Sequence, residues 1–337
     1  MHPRHEAPAG SANDEPCPVR RRLPDDPRDA TPRAHMKKLK VVLGLITQDN
    51  DYQREQALEA ERTARRLGID LQVFYAGNDA INQSRQLLGV IQVAVEARPD
   101  AVVVEPVGTG MGHVAKAAAD RGIGWMVLNR EADYLKPIRS ASDAPVGSLD
   151  CDNEEVGRIQ GRQFGALLPD GGAVLYIEGP VTDAARQRRV GMEETLPRNI
   201  EIKPLRGKWT EESAFQAVTA GLSPARHLNV GVIGCQNDAM ARGARRAIEA
   251  QRSSKERETW LSLPFTGCDG VPATGQAWLR QGLLAATVII PPLTGIALDM
   301  LAKAIQAGTQ VPERTLTKPT SRPSIEELRA KYARRIP

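Results

Sequence analysis

The feature that most constrains the fold is a repeated alternation of short apolar runs with longer segments of helical periodicity. The runs 101–105 (AVVVE) and 230–234 (VGVIG) are mainly apolar and do not alternate with polar residues. This pattern is typical of parallel strands that are covered on both faces. Because a strand followed by a helix is repeated along the chain, the sequence predicts right-handed βαβ crossovers and an α/β fold with doubly wound parallel sheets.

The predicted strands fall into two sets of five, one on each side of about residue 150. They are 40–46, 69–75, 101–105, 124–128, 145–149, 173–178, 200–206, 230–234, 260–266 and 285–290. Helices are predicted near 52–67, 80–97, 110–121, 154–168, 184–194, 211–222, 238–251, 271–281 and 293–306. Since 337 residues exceed the usual size of one core, two similar lobes with a cleft between them are expected.

The first 38 residues differ in composition from the rest of the chain. They contain seven prolines and no Phe, Trp or Tyr, so a disordered tail is predicted over 1–38. This segment has no apolar h-region and does not read as a secretory signal peptide. Met36 is an alternative start site.

Composition and cysteine spacing argue against several functional classes. A net charge of +4 is small for this length and gives no argument for nucleic acid as a partner. The four cysteines are widely spaced, without a CxxC pair, which argues against a zinc site and predicts small core thiols. No apolar run is long enough for a transmembrane helix.

Polar and aromatic side chains are concentrated where the predicted strands end. Ligands of open α/β sheets bind at the carboxyl ends of the strands, so these positions are candidates for a site. Amides, carboxylates and guanidinium groups together suit a polyhydroxylated ligand, because each hydroxyl both donates and accepts hydrogen bonds. Taken singly, each residue also has an ordinary structural explanation as a helix cap, an ion pair or a packing residue. These positions are the stretch 47–53, residues 129–131, Asp183 and Arg186, Trp209, the turn CQND at 235–238, and Asp269.

The sequence gives little support for an enzyme. Outside the first 38 residues only two histidines remain, His113 and His227, with no nucleophile or metal-ligand spacing around them. The stretch GTGMGH at 108–113 is either a phosphate loop or a glycine-rich turn into a helix, and its spacing favours the turn. We therefore predict a non-catalytic protein that uses no cofactor.

Five motifs occur in a fixed order: VLNREA, DAARQRRVGM, CQNDAMARGARRAI, GCDGVPATG and LLAATVIIPP. With these motifs, the chain from about Leu39 to Leu316 resembles the type I periplasmic sugar-binding proteins. This is the ribose-binding-protein-like group that serves ABC transporters. The same fold forms the effector domain of lactose-repressor-like regulators, so the resemblance specifies architecture more closely than role.

The resemblance implies that eight residues at the strand ends contact the ligand: Asn50, Tyr52, Asn129, Arg130, Arg186, Trp209, Asn237 and Asp269. It implies that Asn237 points into the cleft, while Asp238 caps the helix that follows. Three positions depart from the family pattern: Gln53 replaces an aromatic residue, Asn129 a carboxylate and Ile290 a glutamine. These departures leave the identity of the sugar open.

The resemblance also implies a division into lobes. The N-terminal lobe would comprise 39–150 plus 291–316, the C-terminal lobe 151–290 plus 317–325, and residues 326–337 a C-terminal tail. The hinge would cross near 150–152, 290–292 and 316–319.

The implied function is to bind a small sugar or polyol and deliver it, as a monomer, to the membrane component of an ABC transporter or to a sensor receptor. The implied location is the periplasm, with the cytoplasm as the alternative because no signal peptide is recognised. The alternative function is that of a ligand-sensing effector, either lactose-repressor-like or linked to a kinase, without a transport role.

Overall fold

The computed structural model describes residues 38–225 and 228–333. The tail predicted over 1–38 and the start-site question at Met36 therefore lie outside the described residues, apart from Lys38. None of the described helices is both long and apolar enough to cross a membrane.

Strands and helices alternate along most of the described chain, as the sequence pattern predicts. The strands are β1 Lys40–Leu45, β2 Asp70–Tyr75, β3 Ala101–Val104, β4 Gly124–Leu128, β5 Val146–Cys151, β6 Gly172–Glu178, β7 Ile200–Arg206, β8 Val230–Cys235, β9 Phe265–Asp269, β10 Ala286–Ile289, β11 Arg314–Thr317 and β12 Thr320–Arg322. The α-helices are α1 Asp51–Leu67, α2 Ala80–Ile91, α3 Gly112–Ala119, α4 Leu135–Ser140, α5 Asn153–Leu167, α6 Asp183–Thr195, α7 Glu211–Ala225, α8 Asp238–Glu249, α9 Ser254–Leu261, α10 Gly275–Arg280, α11 Leu293–Ala307 and α12 Ile325–Ala333. A 3₁₀ turn, Val95–Ala97, follows α2.

The strands form two six-stranded sheets with the same winding. The first has the order β11-β5-β4-β3-β1-β2 and the second the order β12-β10-β9-β8-β6-β7. Every pairing in the first sheet is parallel, and in the second only the edge strand β12 runs antiparallel to its neighbour. In each sheet the strand order reverses beside the first strand of the set, which creates a topological switch point.

Helices cover both faces of each sheet. On the first sheet, α1 and α11 pack on one face and α2 and α3 on the other. On the second sheet, α7 and α8 pack on one face, while α5 and α12 pack on the other. Strands β3 and β4 are buried along their whole length, which explains their uninterrupted apolar sequence. The predicted fold class, two doubly wound α/β lobes, is confirmed.

The segment 260–266 was predicted as a strand, and the structure corrects this. Its first residues belong to helix α9, which Ser253 caps by accepting the amide N–H of Glu256 at 3.3 Å. Strand β9 begins only at Phe265 and includes Asp269 as its last residue. Trp260 and Leu261 therefore supply apolar contacts from a helix, which a short apolar run cannot distinguish from a strand.

Residues 326–337 were predicted to form a C-terminal tail, and the structure corrects this for the residues that it describes. Ser324 and Glu327 form a reciprocal capping box at the start of α12, with bonds of 2.8 and 3.2 Å. Leu328 of this helix is completely buried in the core of the second sheet. The helix is therefore an integral part of the fold through Ala333.

Helices α5 and α6 approach each other unusually closely because glycines line their contact. A Cβ added at Gly191 would lie 1.9 Å from the carbonyl oxygen of Glu154, and one at Gly157 would lie 2.1 Å from that of Arg188. Only glycine allows this approach of two backbones. The contact fixes the turn of α6 that carries Arg188 against the start of α5.

Candidate functional site

A cavity of about 200 Å³ lies between helix α1 and the carboxyl ends of β9 and β10, and two glutamates and an arginine of α1 are among its lining residues. Its lining includes Tyr52 from α1 beside the first sheet and Asp269 from β9 of the second. Ile290 and Pro292, from the crossing between the two sheets, complete this side of the cavity. Tyr52 and Asp269, which the sequence predicted to share a site, therefore border the same cavity, one from each lobe.

Asn50 positions Tyr52 at the start of α1. The side-chain oxygen of Asn50 accepts the amide N–H groups of Tyr52 at 2.8 Å and Gln53 at 3.2 Å, so Asn50 is the helix cap. The Tyr52 hydroxyl then donates to Oδ1 of Asn129 at 3.4 Å. Burial raises the pKa of Tyr52 well above its ordinary value, which keeps the ring neutral.

Glu105, which the sequence analysis did not single out, follows β3 and is only 8% exposed. Its Oε2 accepts a 2.7 Å hydrogen bond from Nε2 of Gln53, whose own oxygen is held by the backbone N–H of Ile46 at 3.0 Å. Burial raises the pKa of Glu105 to about 7, against the lowering effect of the Gln53 hydrogen bond. The sequence feature that could have identified Glu105 is a carboxylate at the end of an otherwise apolar run, AVVVE.

Asn129 and Arg130 follow β4, as predicted. Asn129 has a φ of 55°, a left-handed conformation that asparagine tolerates better than most residues. Its amide nitrogen is buried and has no hydrogen-bond partner among the described residues. Arg130 is half-buried, and within the same described ranges no ion pair or hydrogen bond engages its guanidinium group.

The structure distinguishes between two arginines of helix α6. Arg186 is 66% exposed and forms a surface ion pair with Asp183 at 3.2 Å. Arg188, in contrast, is 8% exposed and donates to Oδ1 of Asn153 at 2.9 Å and to the carbonyl of Gln236 at 2.6 Å. Arg186, which was predicted to contact the ligand, therefore lies on the surface, and Arg188 is the buried arginine of the pair. Both lie in the motif DAARQRRVGM, where sequence alone gave no reason to prefer the second arginine.

Trp209 and Arg188 are in direct contact. The Arg188 guanidinium lies 5.3 Å from the centroid of the Trp209 ring, within the range of a cation–π interaction. Trp209 has a φ of 64°, and its indole fits against Gly179, where an added Cβ would lie 2.3 Å from the ring. The tryptophan is therefore fixed both by its backbone and by its packing.

The cap of helix α8 is Asn237 and not Asp238, which corrects the cap predicted from the sequence. Asn237 caps α8 by accepting the N–H of Met240 at 2.9 Å, and its amide donates to the Trp209 carbonyl at 3.0 Å. Asp238 accepts the N–H of Gly270 at 2.8 Å and the Thr287 hydroxyl at 2.7 Å. Asn237 therefore positions Trp209 and the helix, while Asp238 ties the loop after β9 to β10.

Asp269 ends β9 with a φ of 104°, and among the described residues no hydrogen bond to its carboxylate is formed. Burial raises its pKa to about 7, although the positive charge of Arg188 acts in the opposite direction. The negative charge of Glu105 contributes to the raised pKa of Asp269.

The remaining reactive groups are not arranged for catalysis. Cys151, Cys235 and Cys268 are buried free thiols, and burial raises the pKa of each. Within residues 38–225 and 228–333, no group of three or more His, Cys, Asp or Glu side chains could hold a metal ion. The cavity is lined by carboxylate, amide and guanidinium groups and by the ring of Tyr52, which are groups suited to recognition of a polar solute.

The chain is similar to a known family and to single members of it. A family model described as the periplasmic binding protein domain matches residues 41–310. The ribose import binding protein of Haemophilus influenzae is 25% identical over 284 residues, which cover 81% of this chain and 88% of that protein. A Rhizobium meliloti protein, to which rhizopine binding is ascribed by name, is 31% identical over 196 residues. This second match covers 56% of the chain and 60% of the length of that relative.

Solved structures share the fold. A periplasmic solute-binding protein of an ABC transporter from Actinobacillus succinogenes, with bound D-allose, superposes with a TM-score of 0.73 at 23% identity, covering 87% of this chain and 100% of that one. The named relatives are solute-binding proteins and not enzymes, in agreement with the prediction of a non-catalytic chain. Since the family model spans most of the sequence, the chain belongs to the periplasmic binding protein family, in its type I, sugar-binding branch.

Proposed function

We propose that this protein binds a small hydroxyl-rich solute between its two lobes and delivers it to the membrane component of an ABC transporter. The cavity carries this proposal, because Tyr52 and Asp269 border it from opposite lobes. Relatives named for ribose import and for D-xylose binding support the substrate class. The same relatives support a periplasmic location, and we propose that the protein acts there as a monomer.

We propose that the solute contacts a set of side chains smaller than, and partly different from, the set implied by family resemblance. Asn50 and Asn237 act as positioning residues, since their polar atoms are engaged in capping and backbone contacts. Arg188 replaces Arg186, because it is the arginine packed against Trp209. The proposed contacts are Tyr52, Glu105, Asn129, Arg130, Arg188, Trp209 and Asp269.

We propose that the lobes divide at about residues 150–152, 290–292 and 316–319 and close on the solute like a hinge. The first sheet contains β1 to β5 and β11, and the second contains the other strands. At the crossing, the N–H of Asp152 donates to the Thr317 carbonyl at 3.1 Å, so two of the crossing segments are tied to each other. Closure would remove water from the solute and strengthen its hydrogen bonds.

The experiment is a thermal-shift screen over sugars and polyols, followed by calorimetry on Asp269→Asn. A bound solute stabilises the folded state by mass action, so the true ligand class raises Tm. Because a charged hydrogen bond is stronger than a neutral one, we expect Asp269→Asn to weaken binding by about 1.5–3 kcal/mol.

The matched control is Asp183→Asn, which removes an 85% exposed carboxylate from the same lobe. This variant should bind as the unaltered protein does. Equal affinity in Asp269→Asn and Asp183→Asn would exclude the proposed site.

A further inference from the structure

Asp238 is a buried residue that joins two segments of the second lobe. It is the first residue of α8, is 3% exposed and is not among the residues that line the cavity. Its Oδ2 accepts the N–H of Gly270 at 2.8 Å, in the loop after β9. Its Oδ1 accepts the hydroxyl of Thr287 at 2.7 Å, in β10. Both oxygens of the side chain are therefore engaged by the protein itself.

The two segments that Asp238 joins both contribute to the lining of the cavity. Asp269, which directly precedes Gly270, and Ile290, which follows β10, are lining residues. The N–H of Ile290 donates to the Asp269 carbonyl at 3.1 Å. The carbonyl of Gly270 accepts Nε2 of Gln276, another lining residue, at 2.8 Å. Gly270 is thus held by Asp238 on its N–H side and by Gln276 on its carbonyl side, and this fixes the backbone directly after Asp269.

Glycines enclose the carboxylate of Asp238. A Cβ added at Gly267 of β9 would lie 2.1 Å from Oδ1, and one added at Gly275, the first residue of α10, would lie 1.9 Å from Oδ2. Because only glycine leaves this room, strand β9 and the start of α10 can close directly on the side chain. Asp238 therefore has one position in the fold and contacts three consecutive elements of the second lobe.

The backbone of Asp269 requires support of this kind. Its φ is 104°, a value that residues other than glycine rarely adopt, and Gly270 follows with a φ of 61°. Such a conformation persists only where the surrounding structure holds it. The hydrogen bond from Gly270 to Asp238 acts on the very next residue, so it helps to hold Asp269 in this conformation.

The residue before Asp238 has a parallel role. The amide of Asn237 donates to the carbonyl of Trp209 at 3.0 Å, and Trp209 also has a positive φ, of 64°. Two adjacent residues at the start of α8 therefore hold the backbone at, or directly beside, two of the proposed contacts. Each of those contacts has a conformation that needs such help.

We propose that Asp238 is a positioning residue for solute binding: it holds Asp269 in the orientation that contacts the solute and does not touch the solute itself. Supporting residues of this kind decide whether a contact residue is held closely enough to bind well. The inference rests on the proposed function and assigns to Asp238 a part in affinity. Through Thr287, Asp238 also ties the loop that carries Asp269 to the strand that leads into the crossing at 290–292.

The test is calorimetry with a panel of D-ribose, D-xylose, D-glucose, D-galactose and myo-inositol, using the tightest binder for the variants. Asp238→Ala should weaken its binding by about tenfold or more, the range of one to two lost hydrogen bonds. Asp238→Asn should stay within about threefold of the unaltered protein, because its oxygen can accept the Gly270 N–H and its nitrogen can donate to the Thr287 hydroxyl. Burial raises the pKa of Asp238 well above its ordinary value, so a neutral amide suits this place.

The control for stability is Leu328→Ala, which removes a completely buried side chain from the core of the same lobe. This variant should lose stability and keep its affinity. If Asp238→Ala does not fold, Thr287→Val replaces it, because it removes only the hydroxyl that holds Oδ1. Thr287→Val should weaken binding by about threefold or more, and Thr287→Ser should restore it.

A double-mutant cycle tests whether Asp238 acts through Asp269. Asp269→Gly removes the carboxylate and suits a φ of 104°. In that background Asp238→Ala should weaken binding by less than about threefold, since no carboxylate remains to be positioned. Losses that simply multiply would overturn the action through Asp269.

The outcomes separate this inference from the proposed function. Unchanged affinity in Asp238→Ala, or in Thr287→Val where it takes its place, would overturn the inference and leave solute binding intact. Equal losses of affinity in Asp238→Ala and Leu328→Ala would also overturn it, because affinity would then follow stability alone. If the unaltered protein binds no sugar or polyol, the proposed function and the inference are both overturned.

Discussion

Replacing Glu105 by glutamine should stabilise the ligand-free protein at alkaline pH and have little effect at acid pH. The pKa of Glu105 is about 7 in the fold, against an ordinary value of 4.5. Between these values the unfolded state has lost the proton and the native state retains it, so the free energy of unfolding falls as pH rises. At about 1.4 kcal/mol per pH unit, the full cost of the carboxylate is about 3 kcal/mol and is reached above about pH 7.

The magnitude at each pH follows from the same two pKa values. At about pH 5 most of this cost is still absent, because the unfolded carboxyl group is not yet fully ionised, so the cost is about 1 kcal/mol; at about pH 8 it is about 3 kcal/mol. Glu105→Gln removes this titration while preserving the hydrogen bond from Gln53. Its gain in unfolding free energy should therefore be about 2–3 kcal/mol larger at the higher pH.

Urea unfolding followed by circular dichroism, at both pH values and without ligand, measures this difference. Glu61→Gln serves as the control, because Glu61 is half exposed and only 3.9 Å from Arg65 in a surface pair of small energy. A gain for Glu105→Gln that is equal at the two pH values, or larger at pH 5, would refute the reasoning. Such a result would mean that the negative charge of Glu105 is compensated inside the fold, so that its pKa is not raised.

Two further predictions concern the packing that supports the site. Gly191→Ala should lower the free energy of unfolding, measured in urea, by about 3 kcal/mol or more, because the new Cβ meets the backbone of α5. The control is Gly89→Ala, at an open and exposed position in α2, which should be neutral or stabilising by up to about 1 kcal/mol. Leu328→Ala should lower the free energy of unfolding by about 2–4 kcal/mol, because Leu328 is completely buried in the core. An unchanged urea midpoint would show that α12 does not contribute to the core.

The architecture could be predicted from the sequence because parallel strands and their crossover helices leave strong periodic signals. Strand β3, for example, is apolar throughout and completely buried. The exceptions are elements with a weak apolar pattern, or with a pattern that fits a helix as well as a strand. Strands β11 and β12 have four and three residues with partly exposed edges, so their sequences carry no apolar run. The segment around Trp260 is as apolar as a strand, and only its Ser253 cap marks it as a helix.

The candidate site could be predicted in location but not residue by residue. Position after a strand indicated Tyr52, Asn129 and Asp269 as candidates, because that feature depends only on strand order. The choice between neighbouring residues depends on which side chain points inward, and this is determined by packing. Arg188 is buried because glycines bring α5 against its turn of α6, and no local pattern distinguishes it from Arg186.

The carboxylates Glu105 and Asp269 belong to different lobes. Glu105 is anchored by Gln53 in the first lobe, and Asp269 lies beside Arg188 in the second. In the proposed open state, water would solvate each carboxylate separately, and the cost of burying it would disappear. Closure without a solute would bury Glu105 with its bond from Gln53, and Asp269 without a hydrogen bond to its carboxylate from the described residues, which would disfavour the empty closed state. A solute that donates to these groups would lower this cost, so the same residues would link recognition of the solute to closure.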